Sequence, residues 1–78
     1  MRNPDRLNNF YDDLRRIHKK YFPDWRFTQL MMNFLGWNYQ KYKNDGWYYE
    51  ENKTIDLLRE YAEEMTKPKE TDDAEENR

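Results

Sequence analysis

Apolar residues recur every three or four positions in three separate stretches of this chain. Leu7, Phe10, Tyr11, Leu14, Ile17 and Tyr21 form one stripe and predict a helix from Pro4 to Tyr21. Asn3-Pro4 suits its start and Pro23 stops it, because the residue before a proline avoids helical angles. The second stretch, PDWRFTQLMMNFLGWNYQKY, predicts a helix from Trp25 to Lys43 with Asp24 as N-cap. Phe27, Leu30, Met31, Phe34 and Asn38 share one of its faces; Leu35, Tyr39 and Tyr42 share another, with Trp37 between. A helix apolar on so many sides is expected to be buried or held by a partner. Gly36 is its one weak helix former, which predicts a close helix approach or a slight kink there. Asn44-Asp45-Gly46 predicts a turn, Trp47-Tyr48-Tyr49 a short extended segment, and Glu50-Glu51-Asn52 the acidic opening of a third helix. That helix carries Ile55, Leu58, Tyr61, Ala62 and Met65, with Leu57 on its flank, and stops before Pro68. The pattern predicts an all-α three-helix bundle with helix two as hub and sequential helices antiparallel. Leu14, Ile17, Leu30, Met31, Phe34, Leu58 and Tyr61 are its expected core.

Composition sharpens this picture. With 78 residues the chain holds one domain, expected over residues 1–67. From Thr66 onward three basic residues face five acidic ones, which accounts for the net charge of −2, so residues 1–65 are neutral overall. Residues 68–78 lack large apolar side chains and are expected to be a disordered acidic tail. A neutral body has no whole-molecule field to gather nucleic acid. There is no cysteine, so disulfides, thiolate metal sites and cysteine nucleophiles are excluded. No apolar run reaches membrane-spanning length and MRNPDRLNNF lacks the apolar stretch of a signal peptide, so a cytoplasmic location without membrane contact is expected.

Few residues offer chemistry. His18 is the sole histidine and lies off the apolar stripe, so an exposed surface position is expected. Asp12-Asp13 and Glu63-Glu64 are adjacent on helices and diverge, and no spacing of carboxylates predicts a metal site. The expectation is a protein without catalytic residues, metal or cofactor. Arg15, Arg16, Lys19 and Lys20 form a basic patch able to contact phosphates, or else a solvated face diluted by Asp12 and Asp13. Asp24, Arg26, Gln29 and Asn33 are read as structural polar residues that fasten the first loop or the aromatic stretch after Gly46; their other reading is a polar recognition spot. The 14 aromatics exceed what a three-helix seam holds easily, so Trp25, Trp37, Trp47, Tyr48 and Tyr49 are candidates for partner binding. Among them Tyr48 is expected to point outward.

Pro23, Asp24, Arg26, Gln29, Leu30 and Asn33 spell P-D-x-R-x-x-Q-L-x-x-N. Upstream lie Arg6, Leu14 and Ile17, and downstream Tyr48, Tyr49, Glu50 and Glu51. In these motifs, over about residues 1–65, the chain resembles a group of short phage, prophage and Gram-positive bacterial proteins. The resemblance implies a phage or mobile-element accessory protein. The aromatic surplus on a neutral body without catalytic signatures points to a protein-binding module, and the resemblance together with the small size points to inhibition of a host or antiviral-defence protein. A nucleic-acid-binding accessory protein using the basic face of helix one, and a self-associating structural protein, are the alternative expectations.

Overall fold

The computed structural model describes residues 2–66, which form three α-helices: α1 (Arg6–Tyr21), α2 (Phe27–Tyr42) and α3 (Glu51–Thr66). The architecture is the expected all-α three-helix bundle, and the described residues contain no strand. The tail expected at 68–78 lies outside the described residues.

Local chemistry sets each boundary. Asn3 Oδ1 accepts the Asp5 N–H at 3.0 Å, and the Arg6, Leu7 and Asn8 amides each donate three residues back, so α1 begins at Arg6 after a tight turn. Phe22-Pro23-Asp24-Trp25 is a β-turn closed by the Trp25 N–H on the Phe22 carbonyl at 3.1 Å, with proline second, where its fixed φ fits. Asp24 therefore sits inside the turn and does not cap α2. Arg26 holds the N-cap position in extended conformation, and Gln29 Oε1 accepts its N–H at 2.7 Å. At the other end Lys43 adopts the left-handed conformation with φ 55°, and its N–H closes on the Tyr39 carbonyl at 2.8 Å.

The hub is α3, not α2. Most interhelical contact joins α1 to α3, and α2 makes a smaller contact with α3. The α1–α3 pair is parallel: Arg6 meets Glu51 at 2.9 Å and Asp13 meets Arg59 at 3.4 Å, so residue numbers rise together. Helices adjacent in sequence are thus not the principal neighbours. The reason lies in α3 itself, which buries Ile55, Leu57, Leu58, Tyr61 and Ala62. That face is broad enough to take both other helices. Leu14, Ile17, Phe22, Leu30 and Phe34 complete the core. Met31, expected in the core, is half-buried at its margin, and Phe27 is exposed where α2 begins.

Tyr61 is 3% exposed and anchors the aromatic contacts. Its ring lies 5.6 Å from Phe22, 5.9 Å from Phe34 and 5.2 Å from Trp37, centroid to centroid. Burial pushes its hydroxyl pKa up. Gly36, by contrast, stands in open space: a methyl group on its Cα would meet nothing within 4 Å, so the expected close approach inside the fold does not occur.

Tyr61→Ala is expected to cost about 3–5 kcal/mol in urea unfolding, the range for removing a buried ring. Tyr61→Phe should stay within about 1 kcal/mol of the parent, because the ring supplies the contacts named here.

Candidate binding surface

Two adjacent rings, Trp47 and Tyr48, stand out from the fold at 80% and 90% exposure. The segment holding them is not extended as expected. It is a turn, closed by the Tyr49 N–H on the Gly46 carbonyl at 3.1 Å, with Trp47 and Tyr48 at its two central positions. Central turn residues project from the chain, which explains why both rings face outward.

The turn is held from beneath. Asn44 Oδ1 accepts the Gly46 N–H at 2.7 Å and Asp45 Oδ1 accepts the Trp47 N–H at 3.0 Å, two successive side-chain turns. Gly46 has φ 83°, a conformation open to glycine, and a side chain there would also meet the Tyr49 ring at 3.4 Å. Asn38, fully buried in α2, donates from Nδ2 to the Asn44 carbonyl at 2.7 Å. The Tyr49 hydroxyl lies 3.3 Å from the same nitrogen and 3.4 Å from Asn38 Oδ1. Tyr49 is thus half-buried and serves as the anchor of the turn.

The other candidates fall into different places. Trp25 stacks on Phe22 at 4.6 Å and Trp37 stacks on Phe34 at 6.1 Å, so both are half-buried lids of the core. Asn33 is exposed, Asp24 is exposed in the first turn, and Arg26 contributes its backbone N–H. Gln29 Oε1 accepts the N–H of Arg26, a local capping bond at the start of α2. The amide that fastens the aromatic segment is Asn38, for which periodicity predicts an inner face but no role. His18 is not a free surface histidine: its Nε2 sits 2.7 Å from the Trp25 carbonyl, so that nitrogen carries the proton and ties α1 to the turn.

On the basic face, Asp12 pairs with Arg15 at 3.2 Å and Asp13 with Arg16 at 3.1 Å. Lys20 lies over the Tyr21 ring at 5.1 Å. Arg15, Arg16, Lys19 and Lys20 still line one open groove, but two of the four already have carboxylate partners. Among the described residues no group of three or more histidines and carboxylates converges to hold a metal, and no helix is long and apolar enough to cross a membrane.

A polar clasp holds α2 to α3. Lys41 Nζ lies 2.7 Å from both Glu60 and Glu64, the Tyr42 hydroxyl donates to Glu60 at 2.7 Å, and Trp37 Nε1 donates to Glu64 at 2.6 Å. The Lys41 and Tyr42 hydrogen bonds hold the Glu60 carboxyl below its usual 4.5. Glu51 is lowered in the same way, chiefly by its hydrogen bond from Arg6. Their hydrogen bonds to Glu60 raise Lys41 and Tyr42.

Comparison with protein-family models, curated proteins and solved structures returned no match.

Asn38→Ala leaves the Asn44 carbonyl without its donor and should cost about 1–3 kcal/mol. Amide hydrogen exchange at Tyr49 should quicken as the turn loosens. For the clasp, the folded Glu60 carboxylate with its lowered pKa stabilises above the unfolded value of 4.5, and that contribution disappears as pH falls through its folded value. The stability gap between the parent and Lys41→Met, read by urea unfolding at neutral pH, should therefore shrink below pH 4.5. It should also shrink in about 1 M salt, because the pairs are exposed.

Proposed function

We propose that this chain is a small, non-enzymatic protein-binding module whose contact element is the Trp47–Tyr48 turn. One observation carries the reading: two adjacent large rings are almost fully exposed on a turn that a buried asparagine holds in place. Tryptophan and tyrosine concentrate binding energy because they bring large area with few rotors. A turn already fixed in shape loses little entropy on binding. Trp25 and Trp37, half-buried against Phe22 and Phe34, are secondary candidates.

The resemblance to short phage and prophage proteins makes a host or antiviral-defence protein the first partner class to try, with the chain acting as an inhibitor by occupying a surface. A cytoplasmic site of action belongs to the same proposal, since a cysteine-free chain suits a reducing compartment. Nucleic-acid binding through Lys19 and Lys20 ranks second, because Arg15 and Arg16 are paired with carboxylates.

The test is affinity capture from host lysate, then titration of the captured protein. Trp47→Ala and Tyr48→Ala should each leave stability within about 0.5 kcal/mol and weaken binding by about 2 kcal/mol or more. Full affinity in both variants would overturn the assignment of the turn. Binding that instead falls steeply with salt and requires Lys19 and Lys20 would favour the nucleic-acid reading.

A further inference from the structure

The fold leaves a second apolar stripe uncovered on α2. Thr28, Met32, Leu35, Gly36 and Tyr39 recur at helical spacing and are all exposed, with Met32 at 68%. They lie opposite the face that buries Leu30, Phe34 and Asn38. From Phe27 to Gln40 the helix has no charged residue, in a chain that is 38% charged. Lys41 begins the charged end, and Glu60 and Glu64 hold it toward α3.

We propose that this stripe is a self-association surface, and that its occupant is the same stripe of a second copy of the chain, running antiparallel. Three features favour a second copy. First, in a two-fold contact every residue near the axis meets its own copy or a near neighbour, so any charge there would face a like charge. A charge-free face avoids that conflict, while a heterologous partner imposes no such requirement. Second, Met32, Leu35, Gly36 and Tyr39, the central part of the stripe, are symmetric about the point between Leu35 and Gly36. Antiparallel pairing about that point sets Met32 against Tyr39 of the other copy and Leu35 against its Gly36, large against small at the axis. Third, Gly36 has open space where a side chain would stand, so it presents bare backbone for close helix approach. Inside the fold that glycine weakens α2 without return.

Area sets the expected strength. The stripe and the uncharged residues beside it expose on the order of 500 Å² per copy, or about 1,000 Å² in a pair, the lower bound for specific association. The pair is therefore weak and reversible. It would also present two Trp47–Tyr48 turns, giving a bivalent ligand.

Sedimentation velocity on the full chain tests this. The parent should pass from monomer to dimer between about 5 and about 500 μM, the concentration range appropriate to so small an interface. Met32→Glu should weaken dimerisation by about tenfold or more, since it buries a carboxylate in the seam. Its circular dichroism should match the parent, as Met32 is exposed. Gly36→Ala should raise the dilute-protein Tm through helix propensity yet weaken the dimer, two effects of opposite direction. With no native cysteine, single cysteines report the geometry. A short bis-maleimide suited to the ~8–10 Å between packed helix axes should join Leu35→Cys copies. It should leave Thr28→Cys copies apart, because antiparallel pairing separates them by roughly 20 Å. A parent that stays monomeric throughout, a dimer that survives Met32→Glu, linkage at Thr28→Cys, or none at Leu35→Cys would each overturn the proposal. Partner capture by a strictly monomeric parent would overturn the pairing alone and leave the role of the Trp47–Tyr48 turn standing.

Discussion

The ring of Tyr61 is the contact on which this small fold turns. It comes from α3 and meets Phe22 from the first turn, and Phe34 and Trp37 from α2. Three segments therefore meet on one side chain. A chain this short cannot build a deep core, so a few large rings must do what many aliphatic side chains do in a larger domain. Around that ring, α1 docks parallel to α3 through Leu14 and Ile17, and the polar pairs Arg6–Glu51 and Asp13–Arg59 set its register. These pairs are exposed and contribute little energy, but they specify which way α1 runs.

The position of α3 at the centre has a consequence for α2. Most interhelical contact joins α1 to α3, and α2 has one buried face, Leu30, Phe34 and Asn38, and a largely exposed outer face. The core anchors α2 at its middle. The clasp of Lys41, Tyr42 and Trp37 on Glu60 and Glu64 anchors its end. Both anchors lie on the inner side. The outer side carries no charge from Phe27 to Gln40.

Much of the fold is legible in periodicity. The three stripes mark the three helices, and Leu14, Ile17, Leu30, Phe34, Leu58 and Tyr61 are recognisable as core because each recurs at helical spacing. The hub is not legible, because periodicity reports that a face is apolar and not which neighbour covers it. An all-round apolar α2 invites a central position, but such a helix is equally consistent with one face buried and one left open. Phe22 belongs to the core without belonging to any stripe, since it lies directly before Pro23. The site is legible in part. A surplus of rings implies exposure, and Tyr48 is exposed, but the segment is a turn rather than extended, and Trp47 projects as well. Asx chemistry at Asn44 and Asp45 makes a turn of the segment and directs both rings outward. The structural amide is expected among Gln29 and Asn33, yet Asn38 holds the aromatic turn, because it sits at the inward end of α2 beneath the loop.

Asn38 also links the two exposed features into one design. A buried amide in a core this small is costly unless its hydrogen bonds are made, and an apolar residue of similar size would pack there without that demand. What the amide adds is the position of Asn44, and through Gly46 and Tyr49 the position of the turn beside Leu35. A fold selected only for stability would gain nothing from fixing a loop whose tip carries two bare rings, nor from a glycine in open space on the adjoining helix face. The glycine weakens α2, and the turn leaves two large rings in solvent, where they add nothing to the core. The proposed contact roles give each feature a reason that the stability of the isolated chain does not.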